Sequence, residues 1–479
     1  MLKILISYFS FDDVDVTYDS IAKELKKNHN DVLKFNVSGI IEFNGSKDSI
    51  LTKKYYLTKI KEFNPDIVFS FNNSFPPNLI SILNCEIFIF DADNPNFFWN
   101  KEYLLNNIDR FRFIGMMSGS KKIYENFLGR ELKSNEYLYL PPATAMKRED
   151  IKKNCNISFI GTNFYPSFLD NRFINLSKID NSLISKLHND LKANYFYKIE
   201  DLYKNKYQQF GDFVDFKEFC ELKNLVDQLY VGQNRLEYLS LLEDLGLIIY
   251  GVSWNQVYSY DIKLLDSLNN KKILSIKDNE DVYNSSKISI NISHPQATTA
   301  FSWRVTDIMS SSSCLVIENK PDWHDLFGRL ISEKVKDAII YKDRFDARNK
   351  CIELLKNEKL RQQCVEECNS AIEINGRWSN RFKLIEEFCV NNLGKTTMRL
   401  VDNENHASYE IIKLDKHSLI ENFLETINKR MKKVKFRNRI ANIFGLLILT
   451  LGQVPIIDKL IINKSTRKFL YSVIDKNKR

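Results

Sequence analysis

The feature that most constrains this chain is a repeated alternation of short, wholly apolar runs with amphipathic stretches. LKILISY (2–8), DVLKFNV (31–37), DIVFSF (66–71), EIFIFDA (86–92) and FRFIGMM (111–117) are such runs, with helical periodicity at 18–27 and 47–63 between them. A run that is apolar at every position, rather than at alternate ones, belongs to a strand covered on both faces. Strands of that kind alternating with helices describe a parallel sheet with helices on each side. The pattern breaks at Pro141-Pro142 and starts again at NISFIG (156–161). It continues through GLIIYG (246–251), KKILSI (271–276), KISINIS (287–293), CLVIE (314–318) and DAIIY (337–341). Residues 343–392 read as two or three helices.

With 479 residues the chain exceeds one ordinary core. The expected architecture is therefore α/β: two doubly wound, Rossmann-like domains facing each other across a cleft. The first spans 1–145 and the second 146–395, with a polar, aromatic, helical insertion at about 180–230. In such sheets ligands bind outside the carboxyl ends of the strands.

Residues 396–479 differ from both domains. The net charge of the chain is +8, yet 429–479 holds fourteen Lys/Arg against two Asp, which leaves −4 on residues 1–428. Basic character therefore belongs to the tail, read as a helical basic extension, and does not mark the whole chain as a nucleic-acid binder. The longest apolar run of the tail, 443–451, is nine residues, against about 20 for a spanning helix. An in-plane association with an anionic membrane surface through 429–479 fits this pattern, and a buried helical pair closing the fold is the plainer alternative. Few aromatics interleave the tail's charges, which argues against nucleic acid. The start, MLKILISYFSFDD, lacks the length of a signal-peptide core and reads as a first strand. The eight cysteines form no CxxC pair and no zinc spacing. The expectation is a cytoplasmic protein with reduced thiols, peripheral on the inner face of the cytoplasmic membrane, with no bound metal and no cofactor.

Residues 283–323 contain the densest chemistry. A helix and strand run into a loop at 294–301, then a short helix at 302–310 and a strand at 314–318. A loop entering a helix offers free N–H groups and a positive dipole end to a phosphate. Arg304 would add a charge-assisted contact. Asp307, one turn on, would accept from two ribose hydroxyls. The plain alternative is an i,i+3 ion pair between the two. His29 and His188 read as surface residues, and His324 as packing or as a lining group of the same site.

These stretches carry a family resemblance. NISFIGT (156–162), Arg235 with LEYLSLLEDLGLIIYGVSW (236–254), Tyr283 with SSKISINIS (285–293), WRVTDIMSSSSCLVIENKPDWHDLF (303–327) and NGRWSNRFKLI (375–385) occur in one order. Together they resemble the glycosyltransferase group-1-like domain of proteins similar to the spore-maturation protein CgeB. NPDIVFSFN (64–72), IFIFDADNP (87–95), MSGS (117–120) and LPPAT (140–144) resemble the domain that often precedes it. The resemblance implies a metal-independent, GT-B type glycosyltransferase with the donor on the second domain and the acceptor on the first. Its substrates would be a nucleotide-sugar donor and a cell-envelope or surface glycan acceptor: a lipid-linked glycan, a lipopolysaccharide precursor or a glycoprotein. It implies donor binding by Gly161, Thr162, Gly251, Trp254, His294, Thr299, Ser302, Arg304 and Asp307. A base for the acceptor hydroxyl would be Asp93 or Asp91, with Asp12 and Asp13 as second choices. The chain departs from the family pattern at Asp307, Ser310 and Ser312, where Glu, Ala and Gly are usual. A sugar-nucleotide epimerase or hydrolase on the same fold, and a non-catalytic membrane scaffold, are the competing readings.

Overall fold

A computed structural model describes residues 2–8, 16–27, 30–36, 41–44, 47–50, 54–72, 75, 83–91, 105–164, 181–193, 199–208, 216–251, 254, 261–269, 271, 273 and 275–392. Two parallel sheets organise them. The first contains β1 (Lys3–Tyr8), β2 (Asp31–Asn36), β5 (Ile67–Phe71), β6 (Glu86–Phe90), β7 (Phe111–Gly115) and β8 (Tyr137–Tyr139) in the order β2-β1-β5-β6-β7-β8. All its pairings are parallel. A separate antiparallel pair joins β3 (Ile41–Asn44) to β4 (Lys47–Ile50). Every residue of β5, β6 and β7 is buried, as strands covered on both faces require. Helices α1 (Val16–Lys27), α2 (Lys54–Phe63) and α3 (Ser120–Leu128) complete this unit.

The second sheet runs β10-β9-β11-β12-β13, again wholly parallel. Its strands are β9 (Cys155–Ile160), β10 (Leu247–Tyr250), β11 (Ser286–Ile290), β12 (Cys314–Glu318) and β13 (Ile340–Tyr341). Between β9 and β10 come α4 (Asn181–Ala193) and α5 (Phe216–Ser240), which share a small core of Leu187, Leu191, Tyr207, Phe219 and Val226. Further helices are α6 (Ile276–Ser285), α7 (Trp303–Met309), α8 (Pro321–Phe327), α9 (Glu333–Ile339), α10 (Arg344–Lys356), α11 (Glu358–Asn375) and α12 (Trp378–Asn392). Their starts are chemically marked. Ser275, Asp343 and Asn357 accept N–H bonds from the first turns of α6, α10 and α11, and Pro321 opens α8.

Several elements differ from the sequence reading. Residues 47–50 form β4 rather than the start of a helix, because their backbone pairs with 41–44. Ser275 caps α6, so the described residues of KKILSI (271–276) join no sheet. In DAIIY only Ile340 and Tyr341 form strand; Asp337, Ala338 and Ile339 end α9, the last two packing inward as helix. β8 has no counterpart in that reading, since its YLY is only half-buried at the sheet edge. The last helix, α12, crosses back to the first unit. Its Trp378, Phe382, Ile385, Phe388 and Cys389 join Ile4, Ile6, Phe69 and Phe88 in one core.

Polar contacts knit the two units along the linker after Pro141-Pro142. Arg381 of α12 is buried and donates to Pro141 O at 2.9 Å and Asn375 O at 2.7 Å. Thr144 N–H donates to Gly376 O at 2.9 Å. A separate contact between the units is made by Asp322 at the start of α8. Its carboxylate has no exposure; it accepts from Ser118 N–H at 2.9 Å and from the Ser118 hydroxyl at 2.6 Å.

Candidate anion-binding crevice

In the second sheet the chain leaves β9 toward β10 on one side and β11 lies on the other, so a topological switch point opens between β9 and β11. Two glycines shape its floor. Gly251 has φ +126°, and a Cβ there would lie 2.0 Å from Gly161 O. Only glycine fits this conformation and this approach. Trp254 Nε1–H donates to the same Gly161 O at 2.7 Å, and its ring lies edge-on to Phe159 in the core. Trp254 thus braces the loop from beneath.

Above this floor positive groups converge. Arg235 projects from the apolar stripe of α5 that includes Val231, Leu236 and Leu239, and is buried. One of its terminal nitrogens donates to Thr162 O, while its Nε is buried without a hydrogen-bond partner. Arg304, in the first turn of α7, also has a buried Nε without a partner. Arg304 and Asp307 form no ion pair with each other. Burial, then the charge of Arg304, lower the Arg235 pKa. His294 follows β11; its Nδ1 accepts from Gln296 N–H at 3.2 Å, which places the proton of the neutral ring on Nε2. Burial, and then the charges of Arg235, Lys223 and Arg304, push its pKa down to about 3. Lys223 is paired with Asp227 at 2.5 Å, and Glu318 with Lys320 at 3.3 Å. Among the described residues the two guanidinium groups have no carboxylate partner. Cations desolvated in this way, Arg235 wholly and Arg304 at its Nε, would be offset by an anion.

Gly161, Thr162, Gly251, Trp254, His294 and Arg304 therefore gather around one switch point. Other expected site residues are engaged elsewhere. The Ser302 hydroxyl donates to Asn291 Oδ1 at 2.7 Å. The Thr299 hydroxyl donates to Asp322 at 3.3 Å, so the 294–302 loop is tied to the contact with Ser118. Asp307 accepts from the Thr144 hydroxyl at 2.6 Å and faces the linker. Burial raises its pKa to about 7, against that hydrogen bond and the Arg304 charge. Thr144 takes up Oδ1 of Asp307, which leaves Oδ2 as the oxygen that a ribose could use.

The serine run lies away from the crevice, at the amino end of β12. Ser312 Oγ donates to Glu149 O and receives Lys153 Nζ at 2.7 Å, and Ser313 bonds Ser289 at 2.8 Å. Serine at 312 thus anchors the linker. In the first unit both Asp91 oxygens are occupied, by Met116 N–H at 2.7 Å and by the Ser120 hydroxyl. Asp91 holds the β7–α3 turn, a different task from that of a free base. Asp93 lies outside the described residues, as do 393–479.

Two residues of the crevice carried no binding role in the sequence reading, Arg235 and Phe164. An arginine on an otherwise apolar helix stripe was the available signal for the first. Among the described residues no group of three or more His, Cys, Asp or Glu is placed to hold a metal ion, and no helix is long and apolar enough to cross a membrane.

No curated protein matches the sequence. Solved structures with a similar course of the chain include T4 phage β-glucosyltransferase, at 9% identity and TM-score 0.44, covering 81% of this chain and 97% of that one. Anabaena HepE gives 10% identity and TM-score 0.42, covering 82% and 100%. Sucrose-phosphate synthase of Thermosynechococcus elongatus gives 8% and 0.46, covering 82% and 99%. Likenesses of this size carry no residue-by-residue correspondence. The segment 233–387, which contains Arg235, His294 and Arg304, matches the family model described as glycosyl transferase-like.

Proposed function

We propose that this protein is a glycosyltransferase that holds the diphosphate of a nucleotide-sugar donor in the β9/β11 crevice. The observation that carries the reading is a pair of arginines at a switch point, Arg235 buried and Arg304 half-buried with a buried Nε, neither in ion-pair contact with a carboxylate among the described residues. It gains support from the glycosyl transferase-like match across the same residues. In this reading the guanidinium groups neutralise charge that grows on the departing nucleotide, with no resident metal ion. The His294 ring, neutral with its proton on Nε2, would donate that N–H to the anion. The acceptor, a cell-envelope or surface glycan, would approach from the first unit. Asp93 would take the proton of its hydroxyl, since Asp91 is already spent on the β7–α3 turn. The basic segment 429–479 would bring the chain to an anionic membrane surface, which sedimentation with anionic vesicles tests.

The decisive experiment is a thermal-shift screen of UDP-, GDP-, dTDP- and CMP-sugars. A ligand held at 100 times its Kd stabilises by about 2.7 kcal/mol, which gives a clear shift. Absence of a shift with any of them, and with pyrophosphate, would remove this reading.

A further inference from the structure

Phe164 follows Gly161 and Thr162 at the end of β9 and is 37% exposed. Exposure alone distinguishes nothing, because Phe345 and Ile374 are more exposed still. What sets Phe164 apart is how it is held. The Arg235 guanidinium carbon lies over its ring at 4.9 Å, and the His294 ring meets it at 5.7 Å with the planes at 82°. A half-exposed aromatic ring is thus fixed against two of the groups that make the crevice cationic.

The geometry of arginine gives this arrangement a use. All five guanidinium N–H groups lie in its plane, so stacking through the face leaves the edge for hydrogen bonds. Arg235 keeps its guanidinium carbon 4.9 Å from the centre of the Phe164 ring and spends one terminal nitrogen on Thr162 O, while its Nε has no hydrogen-bond partner. An anion taken by the free edge would therefore lie beside the Phe164 ring. Whatever ring that anion carries would come within reach of the exposed aromatic surface.

We propose that Phe164 is a ligand-contacting residue: its exposed surface packs against the ring borne by the anion that Arg235 holds, a nucleobase or the apolar face of a hexose. This rests on the crevice being the donor site. Aromatic contacts of this kind contribute about 0.5–1.5 kcal/mol, roughly a tenfold change in affinity at the upper end.

The test titrates wild type, Phe164→Leu and Phe164→Trp with pyrophosphate, with UDP, GDP, dTDP and CMP, and with the glucose conjugate of the best-binding diphosphate. The expected result is unchanged pyrophosphate affinity in all three proteins, with tryptophan retaining what leucine loses. For a base contact, Phe164→Leu loses up to about tenfold on the nucleotide. For a hexose contact, it loses only the increment that glucose adds. Equal losses on pyrophosphate and nucleotide would overturn the proposal, because Phe164 would then only seat Arg235. No loss on any ligand would overturn it as well. If wild type binds none of these ligands, pyrophosphate included, the donor-site reading itself fails, which is a separate outcome.

Discussion

The two sheets share a topology and differ in what fills the corresponding crevice. In each, the first strand has its successor on one side and a later strand on the other: β2-β1-β5 in the first sheet, β10-β9-β11 in the second. Each therefore has a switch point at its carboxyl edge. In the second, Arg235, His294 and Arg304 supply positive and ionisable groups beside Phe164. The first holds aromatic rings. Tyr8 ends β1 and stacks on Tyr18 at 4.3 Å; Phe71 ends β5, stacks on Phe90 at 4.6 Å and meets Trp303 at 6.1 Å. Trp303 comes from α7 of the second unit and neighbours Arg304. One helix thus sends a ring into the first crevice and a cation into the second. Topology supplies two equivalent places; among the described residues, side-chain chemistry makes one cationic and fills the other with rings that meet between units.

The comparison can be broken from either side, beginning with the larger effect. Phe71→Ala removes a fully buried ring and should cost about 3–5 kcal/mol of stability, read from urea unfolding, while pyrophosphate affinity stays unchanged. A fall in that affinity would mean that the aromatic crevice also binds. Arg304→Ala should do the reverse. Nucleotide and pyrophosphate affinity should drop by about 10- to 100-fold, the range of a lost charge-assisted hydrogen bond, with unfolding little changed. Full affinity in that variant would remove Arg304 from the site.

The smallest effect is a pH dependence that separates the crevice from the linker contact of Asp307. The folded-state pKa of His294 is pushed from 6.5 to about 3. Between those values the unfolded chain binds a proton that the folded chain does not, so this group makes stability rise with pH. Asp307 is pushed from 3.8 to about 7. Between those values the folded chain keeps the proton, so its contribution falls as pH rises. The two slopes oppose each other from about pH 4 to 6.5, and the wild-type profile should be shallow there. His294→Asn should leave a falling profile and Asp307→Asn a rising one, measured as urea midpoints across that range. Parallel profiles in the two variants would contradict this assignment.

The alternation of strands and helices was legible because burial on both faces demands apolar residues at every strand position, as in IVFSF and EIFIF. DAIIY misled because a buried helix end needs the same residues as a buried strand. At the candidate site, Gly161, Gly251, His294 and Arg304 were readable as loop and helix-start residues at strand ends. Arg235 is 54 positions before residue 289 of β11 and on a helix face otherwise apolar, so only the folded helix α5 brings it to the crevice. Asp307 has the right spacing from Arg304 to form an ion pair, yet the linker presents Thr144 to it at 2.6 Å.

Local pattern and composition were therefore enough for the fold class and for the break between the two sheets after Pro141-Pro142. Those properties depend on periodicity and on residue type, which are local. The partner of each polar group was settled only by the packed structure. Ser312 became an anchor for Lys153, Asp322 a clasp for Ser118, and Arg235 a cation without a counterion. Each outcome depends on which segments, 159, 204 or 73 residues apart, meet when both sheets bury their faces. Hydrogen bonds and desolvation act over a few ångströms in space, and separation along the chain says little about that distance.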